Sequence, residues 1–184
     1  LDGAAKHELL AHLAHGRGHG GADYGLAETA HHGAQRALDA ALALVEPHSP
    51  CPWLHIAAVV AEEAAGRGFR RIGLTGTRWL VESSVYPDQL VPRGLGFERP
   101  SEAERHEIHH IIMDELVAGV FRPEQVATFQ AIIRGLADRG CDAVALGCTE
   151  IPLIINDDNS LLPTLDSTRL LARAALRRAV GGNA

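Results

Sequence analysis

The sequence predicts an α/β fold in which a parallel sheet is flanked by helices. Three observations carry this prediction. After Pro50, short apolar segments of strand length alternate with longer segments of helical periodicity, the order that builds parallel sheets. Residues 143–146 are apolar without interruption, as in a strand buried on both faces. Two strand-like segments also end in small polar turns, Thr75-Gly76-Thr77 and Gly147-Cys148-Thr149-Glu150, where an open parallel sheet binds its ligands.

In chain order, residues 1–49 differ in texture from the rest. Ala, Gly and His dominate them, and seven of the 11 histidines fall here. Residues 34–45 form a helical stripe through Leu38, Leu42 and Val45. Residues 53–56 are expected as a short strand, 57–67 as a helix, and 71–74 as a second strand ending at Thr75-Gly76-Thr77. A helix over 77–84 follows, then a turn at Tyr86-Pro87-Asp88 and a loop over 92–96. Ser101-Glu102-Ala103-Glu104 has the spacing of a capping box, in which hydroxyl and carboxylate each satisfy an orphan amide. The helix it opens carries Ile108, Ile111, Ile112, Leu116 and Val117 on its apolar side and ends near Gly119. Pro123 opens another helix to residue 139, which Gly140 closes. The strand at 143–146 comes next, with Pro152 placed for the first turn of a helix. A final strand over 162–165 leads through Asp166, as N-cap, into a helix over 167–180. Three segments result: 1–49, 50–160 with both polar turns, and 161–184, a strand and helix expected to pack back on the first segment.

Composition narrows the partners. A net charge of −6 and a pI near 6.0 argue against nucleic acid or an anionic membrane, both of which need a basic face. No apolar run reaches the roughly 20 residues of a membrane span, and Leu1-Asp2-Gly3 does not open a signal peptide. Cys51, Cys141 and Cys148 are too few for a disulfide framework and fit a reducing compartment, so the cytoplasm is the expected location. A small-molecule ligand is left as the expected partner. His7, His12, His15 and His19 suggest a metal site, but His19 lies in the Gly-rich stretch 16–21, which would break the helix needed to align it with His15.

The chemistry centres on Cys148. At a strand's carboxyl end before a helix start, a thiol would meet unpaired N–H groups and the positive end of a helix dipole, which lower its pKa from ~8.5. The alternative is a cysteine serving as a small apolar residue. Thr77 either presents its hydroxyl to a ligand or caps its own helix. Glu150 either serves the site or merely complements a helix dipole. Cys141, at a helix-to-strand junction, is read as packing.

Leu54-His55-Ile56, Gly76-Thr77-Arg78 followed by Glu82, the helix bearing Glu104-Arg105, Ile108, Ile111-Ile112 and Glu115-Leu116, and Leu146-Gly147-Cys148-Thr149-Glu150-Ile151 occur in an order that resembles the aspartate/glutamate racemase family. The resemblance spans roughly residues 50 to 180 of 184. It implies two similar α/β lobes with a cleft between them, no cofactor, and two thiols flanking the substrate's α-carbon. It also implies that Cys148 is the second-lobe acid/base. Thr149 and Glu150 would then contact the substrate or tune the sulfur, Gly76 and Thr77 would hold the carboxylate, and a dimer becomes possible.

The first-lobe counterpart is Ala27-Glu28-Thr29-Ala30-His31, where Thr29 and the histidine match the family and Ala27 replaces the expected cysteine or threonine. Cys51 is a second candidate for the missing proton carrier. Only 53 residues precede Leu54, so the first lobe is expected to be shortened or altered. Some members carry a lysine in the helix over 104–116 that helps bind an acidic substrate; the matching residue here is Glu107, which would repel a second carboxylate. The expected function is therefore a cofactor-independent amino-acid racemase or epimerase. Its alternatives are an impaired or inactive relative, and a one-cysteine decarboxylase or maleate isomerase of the same superfamily.

Overall fold

A computed structural model of the chain describes residues 48–49 and 53–181, and these belong to one compact unit. Among the described residues the strands are β1 (Arg71–Thr75), β2 (Gly96–Glu98), β3 (Ala143–Leu146) and β4 (Thr164–Asp166). They pair in the order β2-β1-β3-β4, all parallel. The helices are α1 (Ile56–Gly66), α2 (Arg78–Glu82), α3 (Pro87–Leu90), α4 (Glu102–His110), α5 (Pro123–Asp138) and α6 (Ser167–Gly181). None of the described helices is long and apolar enough to cross a membrane.

The sheet separates two cores because successive strand residues face opposite sides. Ile72, Leu74, Ala143, Ala145 and Leu165 pack with Ala57, Val60, Ala61 and Ala64 of α1 and Leu170 of α6. Val144 and Leu146 pack on the other face with Ile108 of α4 and with Phe129, Ile133 and Leu136 of α5. Gly73 occupies the inward-facing position opposite α5, where a Cβ would lie 2.9 Å from Leu136 Cδ1. The Asp142 carboxylate accepts from the Arg70 and Arg71 amides at 2.7 and 3.0 Å and so ties the start of β1 to that of β3.

Several expected elements form as read. Ser101 and Glu104 make both halves of the capping box, at 2.6 and 3.3 Å. Gly140 closes α5 at φ +86°, a left-handed value that glycine adopts without strain. Asp166 accepts the Arg169 amide at 2.9 Å, the expected cap of α6.

Four expectations need correction. Residues 53–55 are irregular rather than a strand: His55 Nδ1 accepts the Ala58 amide at 3.3 Å and makes this stretch the start of α1. The loop expected over 92–96 contains a 3₁₀ turn, Val91–Arg93, and runs into strand β2, a three-residue edge too short to leave a periodic signature. The helix after Ser101 keeps α geometry only to His110 and continues as a π-helical turn, Ile111–Leu116. Behind Cys148 there is no α-helix, only the 3₁₀ turn Ile151–Leu153, because Ile151, Ile154 and Ile155 are all drawn into the core within five residues.

Candidate active site

The strand order reverses between β1 and β3. From β1 the chain adds β2 on one side and then crosses to add β3 and β4 on the other, so the loops leaving β1 and β3 diverge. Such a reversal opens a crevice beyond the strands' carboxyl ends, where doubly wound sheets bind ligands. Thr75 lies opposite Leu146 in register, which sets Gly76-Thr77 beside Gly147-Cys148. The Gly147 amide donates to Thr75 O at 2.8 Å, one hydrogen bond beyond the paired strands. A Cβ on Gly147 would lie 2.7 Å from both Thr75 O and Leu80 Cδ2, so the two turns meet only because this residue lacks a side chain.

The floor beneath the turns is polar and saturated. Buried Thr75 donates its hydroxyl to Ala145 O at 2.7 Å, and buried Ser167 donates to Leu146 O at 2.8 Å. Tyr86, whose hydroxyl bonds Ser167, is buried on the same side, and that burial pushes its pKa up to about 12. Thr75 and Ser167 thereby satisfy carbonyls at the end of β3.

On the β3 side, half-buried Cys148 donates its thiol to Glu150 Oε2 at 2.8 Å, and exposed Thr149 donates its hydroxyl to the same oxygen at 2.7 Å. Burial, reinforced by the Glu150 carboxylate, pushes the thiol up to about 11. The hydrogen bonds from Cys148 and Thr149 hold Glu150 below the usual carboxylate range. The expected depression of the thiol by a helix terminus is therefore reversed: the helix is missing, and the nearest charge is negative. The resting pair is a neutral thiol pointing at a carboxylate.

On the β1 side, Thr77 occupies the N-cap position of α2 but makes no side-chain capping bond, so the purely local role for its hydroxyl is not used. α2 is held from α4 and its approach. Arg105 pairs with Glu82 at 3.0 Å, and Arg99 donates to Val81 O and Ser83 O at 2.6 and 3.0 Å. His109 of α4 reaches the same turn: the Arg78 amide donates to its Nδ1 at 3.4 Å, and its ring meets Trp79 edge-on with centroids 4.7 Å apart.

The structure thus brings Gly76, Thr77, Cys148, Thr149 and Glu150 together. Thr29, Ala27, Cys51 and the histidines of residues 1–32 lie outside the described residues. Glu107 is exposed and lines a groove with His110, Glu115 and Arg122, a groove that none of the strand-end residues lines. Cys141 is buried as expected, its thiol also pushed up to about 11 by burial. Sequence reasoning missed His109, Trp79, Tyr86 and Ser167. Only Tyr86 carried a signal, as a lone aromatic in a turn.

Comparison with known proteins decides the family. The model of the Asp/Glu/Hydantoin racemase family matches residues 26–175. The chain belongs to this family. Glutamate racemase from Thermus thermophilus is 29% identical over 116 residues, a match that covers 61% of this chain and 41% of that enzyme. A Yersinia pestis structure assigned to the Asp/Glu racemases superposes with a TM-score of 0.73 at 26% identity, covering 98% of this chain and 81% of that one. An aspartate racemase homologue from Pyrococcus horikoshii gives 0.71 at 26% identity, over 83% of this chain and 72% of its own. Membership places this racemase-family chain among isomerases, with the parallel sheet of its structural relatives.

Proposed function

We propose that the chain is a cofactor-independent amino-acid racemase or epimerase in which the Cys148 thiol exchanges a proton with the α-carbon. The observation that carries this reading is the Cys148–Glu150 hydrogen bond of 2.8 Å at the switch point, with the Gly76-Thr77 turn directly alongside. A thiol held near 11 is protonated at neutral pH, and Glu150 aims its S–H. Such a group is suited to donating its proton to a carbanion whose α-proton a second base, for which Cys51 is the candidate, has removed from the opposite face. In the reverse direction the Cys148 thiolate takes the α-proton and the second group returns one. The amino-acid α-proton is very weakly acidic. The site must therefore bind the carboxylate that shares the carbanion's charge and exclude water from it, and the Gly76-Thr77 turn is the group assigned that task.

Ala27 favours a second reading, because alanine cannot carry a proton and a single thiol suffices for a decarboxylase or a maleate-type isomerase. One experiment separates the two. The protein is incubated in deuterated water with each enantiomer of aspartate and glutamate, and separately with malonates and maleate. Deuterium entering Cα with inversion, lost in Cys148→Ala, supports the racemase. Turnover of a malonate or maleate with no α-exchange supports the one-thiol reading. Silence in every arm means an inert family member and sinks both.

A further inference from the structure

The change from α to π geometry after His110 occurs in a helix with neither glycine nor proline between residues 102 and 116. π-turns within α-helices are rare and concentrate at functional sites. Just before this change sits His109, half-buried and turned toward the β1 turn. The peptide between Thr77 and Arg78 is pinned at both ends. Its carbonyl, Thr77 O, accepts from the Val81 amide at 3.0 Å, and its Arg78 N–H donates to His109 Nδ1 at 3.4 Å. Trp79, edge-on to the imidazole at 4.7 Å and 74°, limits the ring's rotation. Because Nδ1 accepts, a neutral ring carries its proton on Nε2.

We propose that His109 is a positioning residue for the Gly76-Thr77-Arg78 turn, holding the Thr77–Arg78 peptide plane through Nδ1 only while the ring is neutral. That this turn holds a substrate carboxylate rests on the racemase reading; the hold itself does not. A protonated ring donates from both nitrogens, loses the Arg78 amide and frees the turn. The charges around the ring set when this happens. Burial and the Arg78 cation, with His106, lower its pKa below 6.5, while Asp114 on its own helix and Glu82 on α2 oppose them. The turn is therefore held at neutral pH and released as pH falls through that lowered value. His109 makes the β1 side of the site acid-sensitive.

Amide exchange followed by NMR tests this in the full chain. His109→Ala is expected to lower the protection of the Arg78 amide by about tenfold, the worth of one hydrogen bond, and His109→Asn, whose Oδ1 accepts but does not titrate, to restore it. As pH falls from 7 through the lowered His109 pKa, protection at Arg78 is expected to fall in the wild type and to hold steady in His109→Asn. Trp79 emission, read in a Trp53→Phe background, is expected to quench over the same range only when His109 is present. With substrate, His109→Ala is expected to raise KM while kcat stays within about threefold. Unchanged Arg78 protection in a folded His109→Ala protein, failure of His109→Asn to restore it, or flat wild-type Trp79 emission overturns the proposal. If the wild type exchanges no α-proton, the racemase reading fails while the amide and fluorescence arms still decide the role of His109.

Discussion

The turns after β1 and β3 lie side by side and are built on opposite rules. The β1 turn and the helix α2 that follows it are braced from outside by His109, Arg99 and Arg105, and its Thr77 hydroxyl makes no local capping bond. The β3 turn is closed on itself, with the thiol of Cys148 and the hydroxyl of Thr149 both spent on one oxygen of Glu150. A braced turn keeps a fixed shape for a ligand. A self-closed turn keeps a proton in a defined place. The pairing suggests a division of labour, binding on β1 and proton transfer on β3.

The sharpest test of that division is Cys148→Ala, expected to lower α-proton exchange by about a thousandfold, measured by NMR in deuterated water. Glu150→Gln keeps the shape of the turn and removes its charge. Exchange should fall on the order of a hundredfold, because the thiol loses its charged partner. Its alkylation by iodoacetamide should nevertheless reach half-maximal rate at lower pH than in the wild type, since Glu150 raises the Cys148 pKa. Faster alkylation with slower exchange is a combination that simple misfolding does not produce.

Gly147→Ala attacks the contact that joins the turns. Its Cβ would meet the immovable Thr75 O at 2.7 Å, and a loss of about 1–3 kcal/mol in urea denaturation is expected. Gly73→Ala is the control, because there the Cβ meets the movable end of Leu136, at 2.9 Å, and the expected cost is about 1 kcal/mol. If the β1 side only binds, Thr77→Ala raises KM by about tenfold with a smaller change in kcat. A kcat loss as large as that of Cys148→Ala breaks the division.

The smallest effect is on alkaline stability. The Cys148 thiol, raised from 9.0 to about 11, contributes stability that is complete below the unfolded value and is lost as pH rises through about 11. Denaturation midpoints should decline over that window, and less steeply in Cys148→Ser.

Much of the site was legible because its signals are local. An uninterrupted apolar run marked β3 to the residue, and Ser101 with Glu104 marked the start of α4. A Gly-Cys-Thr-Glu element after a strand could only sit at the strand's carboxyl end. The rest depended on distant residues. Pro152 was a fair sign of a helix start, but burial of Ile151, Ile154 and Ile155 against α5 allows a single 3₁₀ turn. β2 was invisible because three half-buried residues become a strand only by pairing with β1.

By itself, then, the sequence determined the α/β class, the strands that lead into the polar turns, the caps at Ser101 and Asp166, and the family. Strand pattern, capping and turn chemistry are written within a few neighbouring residues. Only the tertiary structure decided that β1 and β3 are neighbours at the point of reversal, that His109 reaches the Arg78 amide across 31 positions, and that Cys148 rests as a thiol. Strand order, desolvation and the sign of the nearest charge are properties of what packs around a residue, and no spacing along the chain encodes them.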